Sequence, residues 1–104
     1  KEYIQNDQYY ITILNGNGVS GVASEAAEEL KKYGFNINEV ANADNFDYEE
    51  TIIYYKDGNK KIANGLKDIL GGSIEKSEEL DTDFQVILGK KFVKNQLAKK
   101  EEIN

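Results

Sequence analysis

Residues 9–34 read YYITILNGNGVSGVASEAAEELKKYG, and this stretch contains the pattern that decides the fold. Tyr9 to Leu14 is a run of β-branched and aromatic residues that ends at Asn15-Gly16, as buried strands do. Beyond the glycines, apolar residues recur at helical spacing from Val22 to Tyr33, with charged residues on the opposite side. The stretch therefore predicts a strand, a glycine-rich connection and an amphipathic helix over residues 20–33. Ser20 or Ser24 is expected to cap this helix, and Gly34 is expected to end it.

The same alternation of strand and helix returns along the rest of the chain. Further strands are predicted at 35–41, 51–55 and 84–88, a second helix at 60–70 and a short, weak strand around Ile74. The order βαββαββ predicts an α/β domain of the α+β kind, a two-layer sandwich with two helices packed against one mixed sheet. We place this domain at residues 8–93, with an extension at 1–7 and a basic tail at 94–104.

Composition excludes several classes of function. The 104 residues include no His and no Cys, so imidazole catalysis, Cys–His nucleophile pairs and thiolate metal sites are not available within the chain. The net charge is −6, and the 13 basic residues are all Lys, which removes the planar guanidinium that grips phosphates and bases. We therefore expect a domain that is not an enzyme, binds no nucleic acid and carries no cofactor.

Gly16 to Gly21 matches the spacing G-x-G-x-x-G between a predicted strand and a predicted helix, where dinucleotide-binding folds place their phosphate loop. Glu39, 18 residues after Gly21, stands where such folds place the acid that holds the ribose. A dinucleotide fold needs two mononucleotide-binding halves, however, and the chain after Glu39 enters a polar loop instead of another crossover helix. We interpret the glycines as a tight structural connection between strand and helix.

The polar segment 42–50 offers carboxylates and aromatic rings. Its acids are Asp44, Asp47, Glu49 and Glu50. Their spacing fits no EF-hand loop, so we expect solvated acids and no metal site. Phe46 and Tyr48 offer apolar ring faces of the kind that sugars and peptides contact. In the strand at 51–55, Tyr54 and Tyr55 are expected to point to opposite faces of the sheet.

The sequence also resembles a known family. Residues 13–23, ILNGNGVSGVA, are similar to the opening signature V-L-N-G-T/S-G-V-x-G-L-A of the LytR C-terminal domain family, an accessory domain of LytR-CpsA-Psr cell-envelope proteins. The similarity continues in order through Gly34-Phe35, residues 40–43, residues 51–55, Ala63, Leu66 and residues 86–89. It departs at Lys90, where family members commonly carry an acid. The resemblance implies a bacterial, Gram-positive type of domain that serves envelope proteins attaching glycopolymers to peptidoglycan, with catalysis in another domain.

These observations predict one binding surface. Because a right-handed crossover makes the first two strands parallel, the connection after the first and the loop after the second leave the sheet at the same edge. The candidate ligand-binding residues are Asn15, Gly16, Asn17, Gly18, Ser20, Gly21, Asn42, Phe46 and Tyr48. The expected partner is cell-wall glycan or an envelope protein.

Two other functions stay open at this point. One is a protein-interaction module that pairs a sheet edge with a partner, with the weak strand near Ile74 as the possible edge. The other is a small glycan hydrolase that uses two carboxylates of the polar loop. Because the chain has no Met and begins at Lys1, we expect an upstream targeting segment to be missing. The family resemblance implies a domain at the cell surface outside the membrane, with a membrane anchor in the full-length protein.

Overall fold

The computed structural model describes residues 6–92. After a 3-10 turn at Asn6–Gln8, the chain forms β1 (Tyr10–Asn15), α1 (Val22–Lys32), β2 (Asn36–Asn42), β3 (Ile52–Tyr55), α2 (Lys60–Leu70), β4 (Ser73–Lys76) and β5 (Phe84–Leu88). This order is the predicted βαββαββ, and the α+β class is confirmed. The basic tail at 94–104 and residues 1–5 of the predicted extension lie outside the described residues.

The strands form one five-stranded mixed sheet in the order β2-β1-β5-β3-β4. β1 runs parallel to both β2 and β5, whereas β3 runs antiparallel to β5 and parallel to β4. Two strand-helix-strand units, β1-α1-β2 and β3-α2-β4, therefore flank β5. The weak strand predicted near Ile74 is β4, and it forms one edge of the sheet, while β2 forms the other.

Alternation along the strands selects which side chains reach the core. Ile13 lies beside Val86, and Val86 lies beside Ile53, so these three share one face of the sheet. They belong to a single buried cluster that also contains Leu30 of α1 and Leu66 of α2. Both helices thus pack into the same core. Each fully buried side chain of this size contributes about 2 kcal/mol of hydrophobic stabilisation.

Within residues 6–92, both helices pack against the face of the sheet that contributes to this cluster. We call the opposite face the open face. Its central residues are Thr12, Leu14, Ile52, Tyr54, Gln85 and Ile87. Tyr55 is buried in the core, whereas Tyr54 on the open face is half-buried, which confirms that the two rings point to opposite sides. Ile87 is the one member of this set that is buried.

The sequence prediction for α1 is wrong about the residue that caps its start and correct about the residue that ends it. The prediction of a Ser20 or Ser24 cap is wrong, because Gly21 is the N-cap residue, with φ at 81°, and no side chain caps the helix there. Its left-handed backbone turns the chain directly into the helix. Gly34 follows the last turn with φ at 94°, and its N–H donates to the Lys31 carbonyl at 2.9 Å, so the predicted stop is confirmed.

Candidate functional site

The carboxyl ends of β1, β2 and β5 bring two segments together. We call residues 16–21 the glycine turn and residues 43–50 the acidic loop. The Ala43 N–H donates to the Asn15 carbonyl at 2.8 Å, and the Tyr48 N–H donates to the Gly16 carbonyl at 3.2 Å. The two segments therefore form one continuous surface at the carboxyl ends of these strands, as the parallel pairing of β1 and β2 requires.

Asn15 organises the glycine turn from inside. Its side chain is only 8% exposed, and its Oδ1 accepts hydrogen bonds from the N–H groups of Asn17 and Gly18 at 3.0 and 2.9 Å. Its Nδ2 donates to the Val19 carbonyl at 2.9 Å. One buried carboxamide thus binds three backbone groups of the turn, and these groups in turn satisfy the buried amide.

Asn17 continues this pattern toward the end of β5. Its Oδ1 accepts from the Val19 N–H at 2.9 Å, and its Nδ2 donates to the Gly89 carbonyl at 2.8 Å. In a dinucleotide-binding turn, N–H groups at such positions point at the pyrophosphate. Here the N–H groups of Asn17, Gly18 and Val19 bind side chains of the turn itself. This geometry supports the interpretation of the turn as a structural connection.

Glycine is needed in the turn for two different reasons. A Cβ on Gly16 would lie 2.7 Å from Ile87 Cγ2, 2.8 Å from the Leu88 carbonyl oxygen and 2.8 Å from the Tyr48 ring, so close approach excludes a side chain. Gly18 has φ at 79°, a left-handed conformation that favours glycine, and the Phe46 ring lies over it. Both glycines therefore serve packing between the turn and the acidic loop.

A small cleft of about 170 Å³ lies between the start of α1 and the end of β2. It is lined by Asn15, Gly21, Ala23, Ser24, Val40, Ala41 and Asn42. Three of the predicted site residues, Asn15, Gly21 and Asn42, meet there. Val40, which is 40% exposed in the edge strand, was not among the predicted site residues. Its signal was the apolar pair Val40-Ala41 between the polar residues Glu39 and Asn42 of this strand.

The two aromatic residues of the predicted site, Phe46 and Tyr48, lie in the acidic loop beside the glycine turn. Phe46 is 44% exposed and Val19 is 47% exposed, so this end of the domain presents apolar groups to solvent. Tyr48 is half-buried, and its hydroxyl donates to Asp44 Oδ1 at 2.8 Å. This hydrogen bond, together with partial burial and the charges of Asp44 and Tyr54, raises the pKa of Tyr48 above its ordinary value.

Lysines lie beside three of the four acids of the loop. The backbone N–H groups of Lys90 and Lys91 donate to the carbonyls of Tyr48 and Glu49 at 2.7 and 3.0 Å, which lays the chain after β5 alongside the loop. Lys91 Nζ lies 2.8 Å from Glu50 Oε2, and this hydrogen bond and charge raise the pKa of Lys91. Residues 6–92 contain no group of three acids placed to hold a metal ion.

Lys90 explains how this chain tolerates its departure from the family signature. Its Nζ lies 3.8 Å from Asp47 Oδ1 and 4.0 Å from Glu49 Oε2. Both carboxylates are largely exposed, at 87% and 70%, so each pair contributes at most about 1 kcal/mol. An acid at position 90 would face these two carboxylates, whereas Lys90 complements them.

A larger cavity lies away from this surface, between the two helices. It measures about 440 Å³, and its lining includes Tyr33, Phe35, Ile62 and Ile69. It contains no predicted site residue. Its lining is mainly apolar, and its charged residues Lys61 and Asp68 are exposed to solvent. We therefore place the candidate site at the glycine turn and the acidic loop, where the side chains of Asn15 and Asn17 order the backbone.

The chain is similar in sequence to a known mycobacterial protein. The vesiculogenesis and immune response regulator of Mycobacterium tuberculosis is 30% identical over 67 residues, which cover 62% of this chain and 41% of that protein. The chain thus spans less than half the length of this curated relative. The described part of the chain contains no helix that is long and apolar enough to cross a membrane.

Two solved structures share the fold. The crystal structure of the soluble domain of a conserved hypothetical secreted protein from Mycobacterium marinum matches with a TM-score of 0.70 and 22% identity, over 86% of this chain and 64% of that one. The solution structure of the C-terminal domain of RV0431 matches with a TM-score of 0.59 and 24% identity, over 78% of this chain and 71% of that one. A profile of the family described as LytR cell envelope-related transcriptional attenuator matches residues 8–92. The chain therefore belongs to this family, as its opening signature predicted.

Proposed function

We propose that this domain is a non-catalytic accessory module that works outside the membrane and contacts cell-wall glycan or an envelope protein. The contact surface is formed by the glycine turn and the acidic loop. The observation that carries the proposal is the convergence of these two segments into one surface, held by buried Asn15 and presenting exposed Phe46 and Val19. A fixed backbone with exposed apolar groups is suited to binding.

The state of the carboxylates supports a role without catalysis. A glycan hydrolase needs one carboxyl group in surroundings that keep it protonated near neutral pH. Asp47, Glu49 and Glu50 instead lie beside lysines, and Asp44 accepts a hydrogen bond from Tyr48. All four side chains are exposed to solvent, so none lies in the enclosed apolar surroundings that a catalytic acid of this kind occupies.

Membership of a cell-envelope family supports a place outside the membrane. The similar protein from Mycobacterium marinum is described as secreted, with a soluble domain. We infer the same location for this domain, with a membrane anchor in the full-length protein.

A binding assay with purified peptidoglycan tests this function. The full 104-residue chain is expected to co-sediment with the insoluble glycan in a saturable manner. Phe46→Ala is expected to weaken binding about 10-fold, because it removes an exposed ring from the surface. Tyr33→Ala is the matched control, since Tyr33 is 49% exposed but lies at the far end of α1. Release of soluble sugar by the wild-type chain would contradict the non-catalytic role, and equal loss in both variants would contradict the assigned surface.

Sheet-edge pairing is a second candidate function, and the two edges differ in their suitability. β4 is four residues long and carries Glu75 and Lys76, features that protect an edge from pairing. β2 is seven residues long, pairs with β1 on its inner side, and has exposed Val40 next to the cleft. An extended partner segment added to β2 would place a small side chain at this cleft. This candidate predicts binding to a protein and none to glycan.

A further inference from the structure

The open face of the sheet carries an ordered row of polar side chains. Strand register aligns Glu39, Thr12, Gln85, Tyr54 and Glu75 across all five strands. Neighbouring strands lie about 5 Å apart, so the three central residues span roughly 10 Å. This distance between neighbouring strands is close to the length that each sugar ring adds to a β-linked glycan chain. The parallel row beside it is mainly apolar and contains Leu14, Ile52 and Ile87.

The central groups of this row have hydrogen-bonding capacity to spare. Within residues 6–92, the Gln85 carboxamide and the Tyr54 hydroxyl make no hydrogen bond, although both side chains lie on regular strands and are half-buried. The Thr82 hydroxyl donates to the Phe84 carbonyl at 2.9 Å, so the Thr12 hydroxyl must donate to Thr82 across their 3.2 Å separation. Thr12 oxygen is therefore left as an acceptor.

Aromatic rings border the same surface. The Tyr48 ring lies beside Ile87 at Gly16, and Tyr54 is close enough to influence Tyr48 electrostatically. Because the Tyr48 hydroxyl donates to Asp44, its oxygen can still accept a hydrogen bond from a ligand. Two phenol rings with an apolar floor and adjacent amide and hydroxyl groups are the combination that suits sugar rings.

Charge restricts the choice of ligand. The two strand rows of the open face contain two carboxylates, Glu39 and Glu75, and no lysine. Asp44 lies at the Tyr48 end of the face. A polyanion such as a phosphate-linked polymer would be repelled by these charges, whereas an uncharged chain would not.

We propose that the open face binds an uncharged, amide-bearing glycan strand, with a sugar ring stacked on Tyr54 and an acetamido group paired with the Gln85 carboxamide. This inference rests on the proposed function, because it names the glycan class and extends the contact surface from Tyr48 onto the sheet. A carboxamide provides two donors and one acceptor, which complement the oxygen and N–H of an acetamido group. Thr12 and Tyr48 accept hydrogen bonds from neighbouring hydroxyl groups.

Titration of the isotope-labelled full chain with a chitin pentasaccharide tests the proposal, with maltopentaose and poly(glycerol phosphate) as comparison ligands. We expect saturable amide shifts around Thr12, Tyr54 and Gln85 with the chitin oligosaccharide, and smaller or no shifts with the other two. Tyr54→Val keeps a β-branched residue in the strand and is expected to weaken binding about 10-fold. Gln85→Leu is expected to weaken it about 5-fold through loss of the amide contacts. Tyr33→Ala is expected to leave the affinity unchanged.

The outcomes separate this inference from the proposed function. If the wild-type chain binds peptidoglycan and Tyr54→Val and Gln85→Leu bind it equally well while remaining folded, the domain binds glycan by another surface and the open-face proposal is wrong. If the chain binds neither peptidoglycan nor the chitin oligosaccharide, both proposals fail. Stronger shifts of the open face with poly(glycerol phosphate) would overturn the assignment of an uncharged ligand.

Discussion

The two connections that lead from a strand into a helix occupy equivalent places in the two strand-helix-strand units, but they are built differently. The glycine turn, between β1 and α1, is fixed by buried Asn15 and is bonded to the end of β5 through the Gly16 N–H and the Leu88 carbonyl at 2.9 Å. The connection at 56–59, between β3 and α2, is a surface turn in which Gly58 has φ at 95°, and a Cβ added to Gly58 would meet no atom within 4 Å.

The difference follows from the direction of β5, which runs parallel to β1 and antiparallel to β3. β1 lies between β2 and β5, so the chain leaving it is enclosed by the acidic loop on one side and by residues 89–92 on the other. β3 is antiparallel to β5 and therefore ends at the opposite end of the sheet, where its connection is exposed to solvent and includes exposed Asp57. The resemblance at residues 13–23 is therefore explained by packing: Asn and Gly are needed there to fill and close an enclosed turn.

The largest expected effect separates an enclosed glycine from an open one. Gly16→Ala is expected to lower the free energy of unfolding by about 3 kcal/mol, because the added methyl meets Ile87, Tyr48 and a backbone oxygen at under 3 Å. Gly65→Ala in α2 is the matched control, since its Cβ would enter open space within a helix. This control is expected to raise the free energy by up to about 1 kcal/mol. Urea unfolding measures both, and equal effects of the two changes would contradict the contrast.

The next effect concerns one asparagine from each strand-to-helix connection, Asn15 at the end of β1 and Asn59 at the start of α2. Asn15→Ala is expected to lower the free energy of unfolding by about 2 kcal/mol, because it removes a buried carboxamide that hydrogen-bonds three backbone groups of the turn. Asn59 is the N-cap residue of α2 and makes no side-chain capping bond, so Asn59→Ala is expected to change it by less than about 0.5 kcal/mol. Thermal unfolding of the two variants would show this difference, and a tolerated Asn15→Ala would refute the role of the buried carboxamide.

The smallest effect concerns the acidic loop and its dependence on pH. The raised pKa of Tyr48 means that the folded chain holds this proton more tightly than the unfolded chain does. The resulting stabilisation is fully present below the ordinary value of 10.0 and is lost as pH rises through the folded pKa. Ultraviolet titration of the phenols is expected to show a late-ionising group that disappears in Tyr48→Phe. If the variant instead lost a phenol that ionises at the ordinary pKa and kept the late-ionising group, the Tyr48–Asp44 hydrogen bond would be contradicted.

Periodicity was sufficient to predict the elements and their order. The run before Asn15 and the stripe after Gly21 each bury one face, so β1 and α1 lie within two residues of their predicted bounds. The convergence of the glycine turn and the acidic loop also follows from the sequence, because a strand-helix-strand unit makes β1 and β2 parallel. The predicted ligand-binding role of these residues stays a prediction.

Strand order and side-chain direction were beyond sequence reasoning. Nothing local indicates that β5 inserts between β1 and β3, yet this insertion places Gln85 between Thr12 and Tyr54. The sequence likewise offers Asn15 equally to a ligand or to its own turn, and only burial by neighbouring segments decides for the turn. The Ser caps were preferred by propensity, but the left-handed Gly21 replaced them.

The central claim is that the N–H groups of the glycine turn are bound to neighbouring side chains of the chain itself, and that ligand contact is made by the exposed side chains of the glycine turn and the acidic loop. Amide-shift titrations of the labelled chain with peptidoglycan fragments and with NAD test this most directly. We predict saturable shifts with the glycan fragments around Phe46 and Tyr48, and no saturable shift of the Asn17 and Gly18 amides with NAD, since both N–H groups are bound to Asn15. Saturable NAD shifts centred on Asn17 and Gly18 would contradict this claim.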